Sequence, residues 1–135
     1  MITLIVGNKG SGKTKKLLDL INSAVNTSKG SIVCIEKEMK LTYEIDHSVR
    51  LCDADEYGIS GYDAFYGFVT GLLAGNYDIT EIFIDGILRI GGRNYDDLGA
   101  FLAKINEVAE KSETKLTVTV SADAADLPES VKKYM

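Results

Sequence analysis

Tryptophan is absent from this 135-residue chain, and histidine and proline occur once each. The lone His47 stands between Asp46 and Ser48 in a polar connection, a setting for a surface residue rather than a base or metal ligand. Cysteine is almost as scarce. Cys34 and Cys52 lie in apolar, strand-like runs without metal-ligand spacing, so they read as reduced core thiols. No apolar run approaches the length that spans a bilayer. The amino terminus also lacks a signal-peptide pattern, since Lys9 follows the first apolar stretch instead of preceding it. A cytoplasmic protein with no membrane attachment is expected. Excess positive charge is missing too: 15 Lys and Arg face 20 Asp and Glu, for a net charge of −5. That balance argues against a general nucleic-acid binder, whose affinity comes largely from basic side chains that neutralise phosphates. Lys15-Lys16 and Lys132-Lys133 are local basic pairs of the kind found on solvated helix faces.

What remains is an ordinary globular composition, 45% hydrophobic and 26% charged, over a length that suits one domain covering residues 1–135. Repeats, low-complexity tracts and long linkers are lacking. Strand-like and helix-like segments alternate, which predicts an α/β fold around a mostly parallel, five-stranded sheet. Strands are expected over 2–6, 32–35, 49–52, 82–84 and 116–120. Helices are expected from about Lys13 to Asn26, from Tyr62 to Leu73, and from the cap Asn94 onward. In the last of these, Leu98, Phe101, Leu102, Ile105, Val108 and Ala109 recur at helical spacing behind Asp96 and Asp97. A short helix should follow Pro128, a residue that suits a first helical position. Gly61, Gly67, Gly71 and Gly75 punctuate the second helix, where small residues would permit close packing on the sheet.

One stretch carries specific chemistry. Gly7-Asn8-Lys9-Gly10-Ser11-Gly12-Lys13-Thr14 fits the pattern G-x-x-x-x-G-K-[ST], between an apolar strand and an amphipathic helix. Glycines at 7, 10 and 12 let the backbone wrap round a phosphate so that successive N–H groups point inward. The positive end of the following helix adds to that field. Lys13 would reach the β- and γ-phosphates of a nucleoside triphosphate, and the Thr14 hydroxyl would hold Mg²⁺.

A second acid should stand on the metal side. Glu81-Ile82-Phe83-Ile84-Asp85 is an apolar run ending in a carboxylate, at the strand end where open α/β sheets place ligand groups, so Asp85 is the expected metal-side acid. Hydrolysis requires a further group that orients or deprotonates water. Gly86, not Glu, follows Asp85, which leaves Glu36 and Glu38 beyond the second strand as candidates. Arg89 and Arg93 fall in a glycine-rich loop after Asp85 and could sense a γ-phosphate, as could Ser121 at the end of the last strand.

In this order of motifs the chain resembles the P-loop NTPases of the RecA-like group, pared to the nucleotide-binding core. It is also similar to short bacterial ATP-binding proteins likened to pilus-retraction (twitching-motility) ATPases, although it has no room for their N-terminal domain and lacks their His and Asp boxes. The resemblance implies a three-layer αβα P-loop NTPase fold. It also implies ATP with Mg²⁺ as the ligand, Gly7–Thr14 as the Walker A loop, Asp85 as Walker B, and Glu38 favoured as the water-activating acid. The expected function is ATP binding with slow Mg-dependent hydrolysis or a nucleotide-state switch. A nucleoside-type small-molecule kinase and a non-catalytic nucleotide-binding interaction module are the alternatives. A protein partner or homo-oligomer is compatible with either.

Overall fold

Five apolar runs form the sheet: β1 (Ile2–Gly7), β2 (Ser31–Glu36), β3 (Arg50–Asp53), β4 (Ile79–Asp85) and β5 (Lys115–Ser121). The computed structural model describes residues 1–38 and 44–135. Strand order is β1-β5-β4-β2-β3, and every neighbouring pair runs parallel. A parallel sheet must be covered on both faces, which is why these strands are rich in Ile, Val and Leu rather than cleanly alternating with polar residues.

Helices supply the cover. Helix α1 (Lys13–Thr27) lies on one face and presents Leu17, Ile21 and Ala24 to Ile5, Ile32, Cys34 and Phe83. On the other face α2 (Tyr62–Gly75), α3 (Ile87–Gly91), α4 (Tyr95–Lys111) and α5 (Glu129–Lys132) enclose the larger core with Leu4, Ile35, Ile84, Val118 and Val120. Side-chain alternation along each strand divides the two cores. On β4, Ile82 and Ile84 go to the α2–α4 side while Phe83 goes to the α1 side. The fold is α/β in three layers. Among the described residues no helix is long and apolar enough to cross a membrane.

The elements expected from the sequence are present in order, with corrections at four places. β3 starts at Arg50 and takes in Asp53, so the acid ends the strand instead of opening the connection. The segment after Asp85 is not a loop throughout: Ile87–Gly91 forms α3, because Ile87, Leu88 and Ile90 all bury themselves in the larger core. Pro128 is the residue before α5, not its first member. The glycines of α2 do not serve close packing on the sheet. A Cβ at Gly67, Gly71 or Gly75 would meet nothing within 4 Å, since these positions lie on the helix's outer face. Asn94 does cap α4, its side chain accepting a hydrogen bond from the Asp97 N–H at 3.0 Å. His47 is exposed, and both cysteines are free and buried.

Candidate functional site

The strands all deliver their carboxyl ends to one edge of the sheet, and the chemistry-bearing residues gather there. β1 ends at Gly7, and the chain turns through Asn8–Gly12 into α1. Gly10 and Gly12 have φ of 86° and 87°, the left-handed region that side chains strain, so the turn needs glycine at both places. Gly12 is also the N-cap of α1 and offers no side-chain acceptor. The first N–H groups of this 15-residue helix therefore face the edge without the usual Ser, Thr or Asp cap. The turn is closed by Ser11 N–H donating to the Asn8 carbonyl at 3.1 Å. The Lys13 ammonium donates to that same carbonyl at 3.0 Å.

Lys13 is only 9% exposed. An ammonium is costly to bury, so its position beneath the loop, bound to a loop carbonyl, is a specific placement and not a solvated tail. Asn8, Lys9, Ser11 and Thr14 are exposed around it. A cleft of about 580 Å³ opens beside Thr14 along α1, bordered by Lys15, Leu18, Asp19, Asn22 and Glu44.

Next to the loop lies a row of polar side chains running across the sheet. Register pairs Ile5 with Thr119 across β1 and β5, and Glu36 with both Asp85 and Asp53 across β4, β2 and β3. The Thr119 hydroxyl bridges β5 and β4 by donating to Asp85 Oδ1 at 2.7 Å. The same hydroxyl accepts the Gly86 N–H at 2.7 Å. By strand alternation Thr119, Asp85, Glu36 and Asp53 all face the α1 side, the side of the loop. One strand, β5, separates the loop's strand from that of Asp85. At normal strand spacing this sets them about 10 Å apart.

Glu36 and Asp85 crowd the end of the smaller core. Glu36 is fully buried and Asp85 half-buried. Burial first, and then the charges of Glu36 and Asp85, push the Cys34 thiol far above its ordinary pKa. Cys34 is thus a neutral, unreactive core residue. Asp53, at the far end of the row, is engaged locally and accepts the Asp55 N–H at 2.9 Å.

No protein-family model matches the chain, and no curated protein sequence matches it.

The edge thus brings together Gly7–Thr14, Asp85 and Glu36. Glu38 lies two residues beyond β2, exposed, and is not part of the cross-sheet row. Ser121 ends β5, exposed and in register with Gly7. Arg93 is exposed, whereas Arg89 is half-buried in α3, its guanidinium lying against Gly86. Thr119 is the residue that sequence reading missed. Its signal was present in Leu116-Thr117-Val118-Thr119-Val120, where the threonines alternate with the buried aliphatics and so had to face the α1 side. The partner it would meet there depended on strand order, which no local pattern encodes.

Chemically, the arrangement offers backbone donors and one ammonium for an anion. Beside them stand a hydroxyl-anchored carboxylate and a buried carboxylate. Among the described residues no group of three or more His, Cys, Asp or Glu could hold a metal ion by itself. This donor set suits Mg²⁺ that arrives with phosphates, because that ion keeps several waters and takes one or two protein oxygens.

Proposed function

We propose that the chain binds a nucleoside triphosphate, as its magnesium complex, in the Gly7–Thr14 loop, and that it works as a slow ATPase or nucleotide-state switch in the cytoplasm. The observation that carries this reading is the loop itself. Two left-handed glycines, an uncapped helix start and a buried lysine bound to a loop carbonyl make a cradle for an anion. The motif selects a polyphosphate among anions, since Lys13 and Thr14 occupy the positions that reach the terminal phosphates and their cation.

In this reading the backbone N–H groups of the loop and the start of α1 bind the phosphates, and Lys13 exchanges the Asn8 carbonyl for phosphate oxygen. Thr14 and Asp85 would hold Mg²⁺, which supplies charge neutralisation on the phosphate oxygens. Thr119 restrains the rotamer of Asp85 by donating to one of its carboxylate oxygens. Glu36 is the better candidate than Glu38 for orienting water, because it shares a row and a sheet face with Asp85. Its complete burial sets it apart from a solvated surface carboxylate. Adenine as the base rests on the family resemblance and on the lack of an N-K-x-D guanine signature.

Calorimetric titration with Mg·ATP, Mg·GTP and ADP tests binding, with Lys13→Ala as the control. Absence of heat with every nucleotide would remove the proposal. Phosphate release measured on the same samples then tests turnover. Glu36→Gln should abolish release while keeping ATP affinity, and Glu38→Gln should leave the rate near that of the parent.

A further inference from the structure

A second cavity, of about 520 Å³, lies between the amino-terminal halves of α2 and α4, on the sheet face opposite α1. Its size falls within the range of small-ligand sites. Aromatic rings form its walls. Tyr62 and Phe101 pack with centroids 5.3 Å apart, and Tyr66 stands one helical turn beyond Tyr62. The Tyr62 hydroxyl is tied to the Gly92 carbonyl at 2.8 Å, which holds that ring in place. Two exposed carboxylates, Asp63 on α2 and Asp97 on α4, flank the opening. Burial first, and then the Asp97 charge, push the Tyr62 phenol upward, so the field of that carboxylate reaches the ring wall.

The cavity already shows what it attracts. Lys104 curls over it from α4, and its ammonium sits 4.2 Å from the Tyr66 ring centroid. Ring faces carry negative potential and attract cations, most strongly when an anion stands nearby. Asp97, Phe101 and Lys104 recur at spacings of four and three along α4, so one helix face presents carboxylate, ring and ammonium together. Among the described residues that line the cavity Lys104 is the one cation, on a flexible stem that solvent can receive.

We propose that this cleft is a binding site for an alkyl guanidinium or alkylammonium group, for which Lys104 is the intramolecular stand-in. The incoming cation takes the Tyr66 face and the Asp63 and Asp97 carboxylates, its alkyl part lies along Tyr62 and Phe101, and Lys104 swings out to water. The site is independent of the nucleotide loop.

The test uses the full chain and agmatine as probe, with binding followed by NMR shifts of the Tyr62, Tyr66 and Phe101 ring protons. Agmatine should shift these resonances saturably, and the neutral analogue pentylurea should not. Lys104→Met, which removes the competing cation and keeps the stem, should tighten agmatine binding about two- to fivefold. Asp63→Asn and Asp97→Asn should each weaken it about two- to fivefold. A short Gly-Arg-Gly peptide forms the second arm. Binding of both probes identifies a protein side chain as an acceptable source of the group, and binding of agmatine alone identifies a free amine. No saturable shift with either probe, an equal shift with pentylurea, or unchanged or weaker agmatine binding in Lys104→Met would overturn the proposal. All three substitutions are at exposed positions, and an unaltered melting temperature verifies that each variant is folded.

Discussion

At the scale of single residues the most consequential contact is one hydroxyl. Thr119 is 1% exposed, donates to Asp85 and accepts from the Gly86 N–H. Thr119→Val keeps the shape but removes both bonds, leaving the part-buried Gly86 N–H and Asp85 oxygen without that hydroxyl partner. An unsatisfied buried group costs about 1–3 kcal/mol, so urea unfolding should show a loss in that range for Thr119→Val. Thr119→Ser retains the hydroxyl and should lose less, chiefly the contacts of one methyl group. Equal stability of the Val variant and the parent would mean that the Thr119 bridge contributes nothing. The same pair of variants separates structure from chemistry at Asp85. If Thr119 sets the acid's rotamer, Val should weaken Mg-dependent nucleotide binding more than Ser does, as compared by calorimetry with and without Mg²⁺.

At the scale of elements, α2 shows where local sequence preference and packing part company. Its buried stripe, Phe65, Val69 and Leu73, recurs every four residues and was legible from spacing alone. Its glycines were harder to read, because a glycine inside a helix can mark either close packing or mere tolerance. The structure gives tolerance: Gly67 and Gly71 look outward into open space. Both sit in the helix interior with ordinary negative φ, so alanine fits without strain. Each Gly→Ala change should stabilise the protein by roughly 0.5–1 kcal/mol through the lower entropy of the unfolded chain. The double variant should therefore gain about 1–2 kcal/mol in denaturant unfolding, the positions being independent surface sites. A loss of stability in both single variants would show that this face is covered in solution. Helix α3 was illegible for a different reason. Five residues between Gly86 and Gly92 give too short a window for periodicity, although Ile87, Leu88 and Ile90 are all buried. α4 was the clearest element because cap, first-turn acids and apolar stripe agree along 17 residues.

At the scale of the whole molecule, the loop could be read in the sequence and its partners only in part. Gly7–Thr14 is contiguous, so its residues specify their own geometry. Asp85, Glu36 and Thr119 come from three strands, and they meet only because β5 inserts between β1 and β4 while β2 lies on the far side of β4. That order is a property of the assembled sheet. It also places Glu36, the residue that ends β2, in register with Asp85, whereas Glu38 lies beyond the strand.

A ligand seated across this edge touches the start of α1 and several strand ends at once, so it should stabilise the entire cooperative unit rather than one loop. A ligand that binds only the folded state adds RT ln(1 + [L]/Kd), about 2.7 kcal/mol at a hundredfold excess over Kd. For a domain of this size that is a rise in melting temperature on the order of 10 °C. Mg·ATP should produce such a rise in the parent protein, and Lys13→Ala should lose most of it. Asp85→Asn should keep the fold and lose the part that depends on Mg²⁺. Differential scanning calorimetry over a nucleotide series reads all three. A rise of the same size in Lys13→Ala would locate the ligand away from the loop. An equal rise with and without Mg²⁺, in both the parent and Asp85→Asn, would take the metal from Asp85.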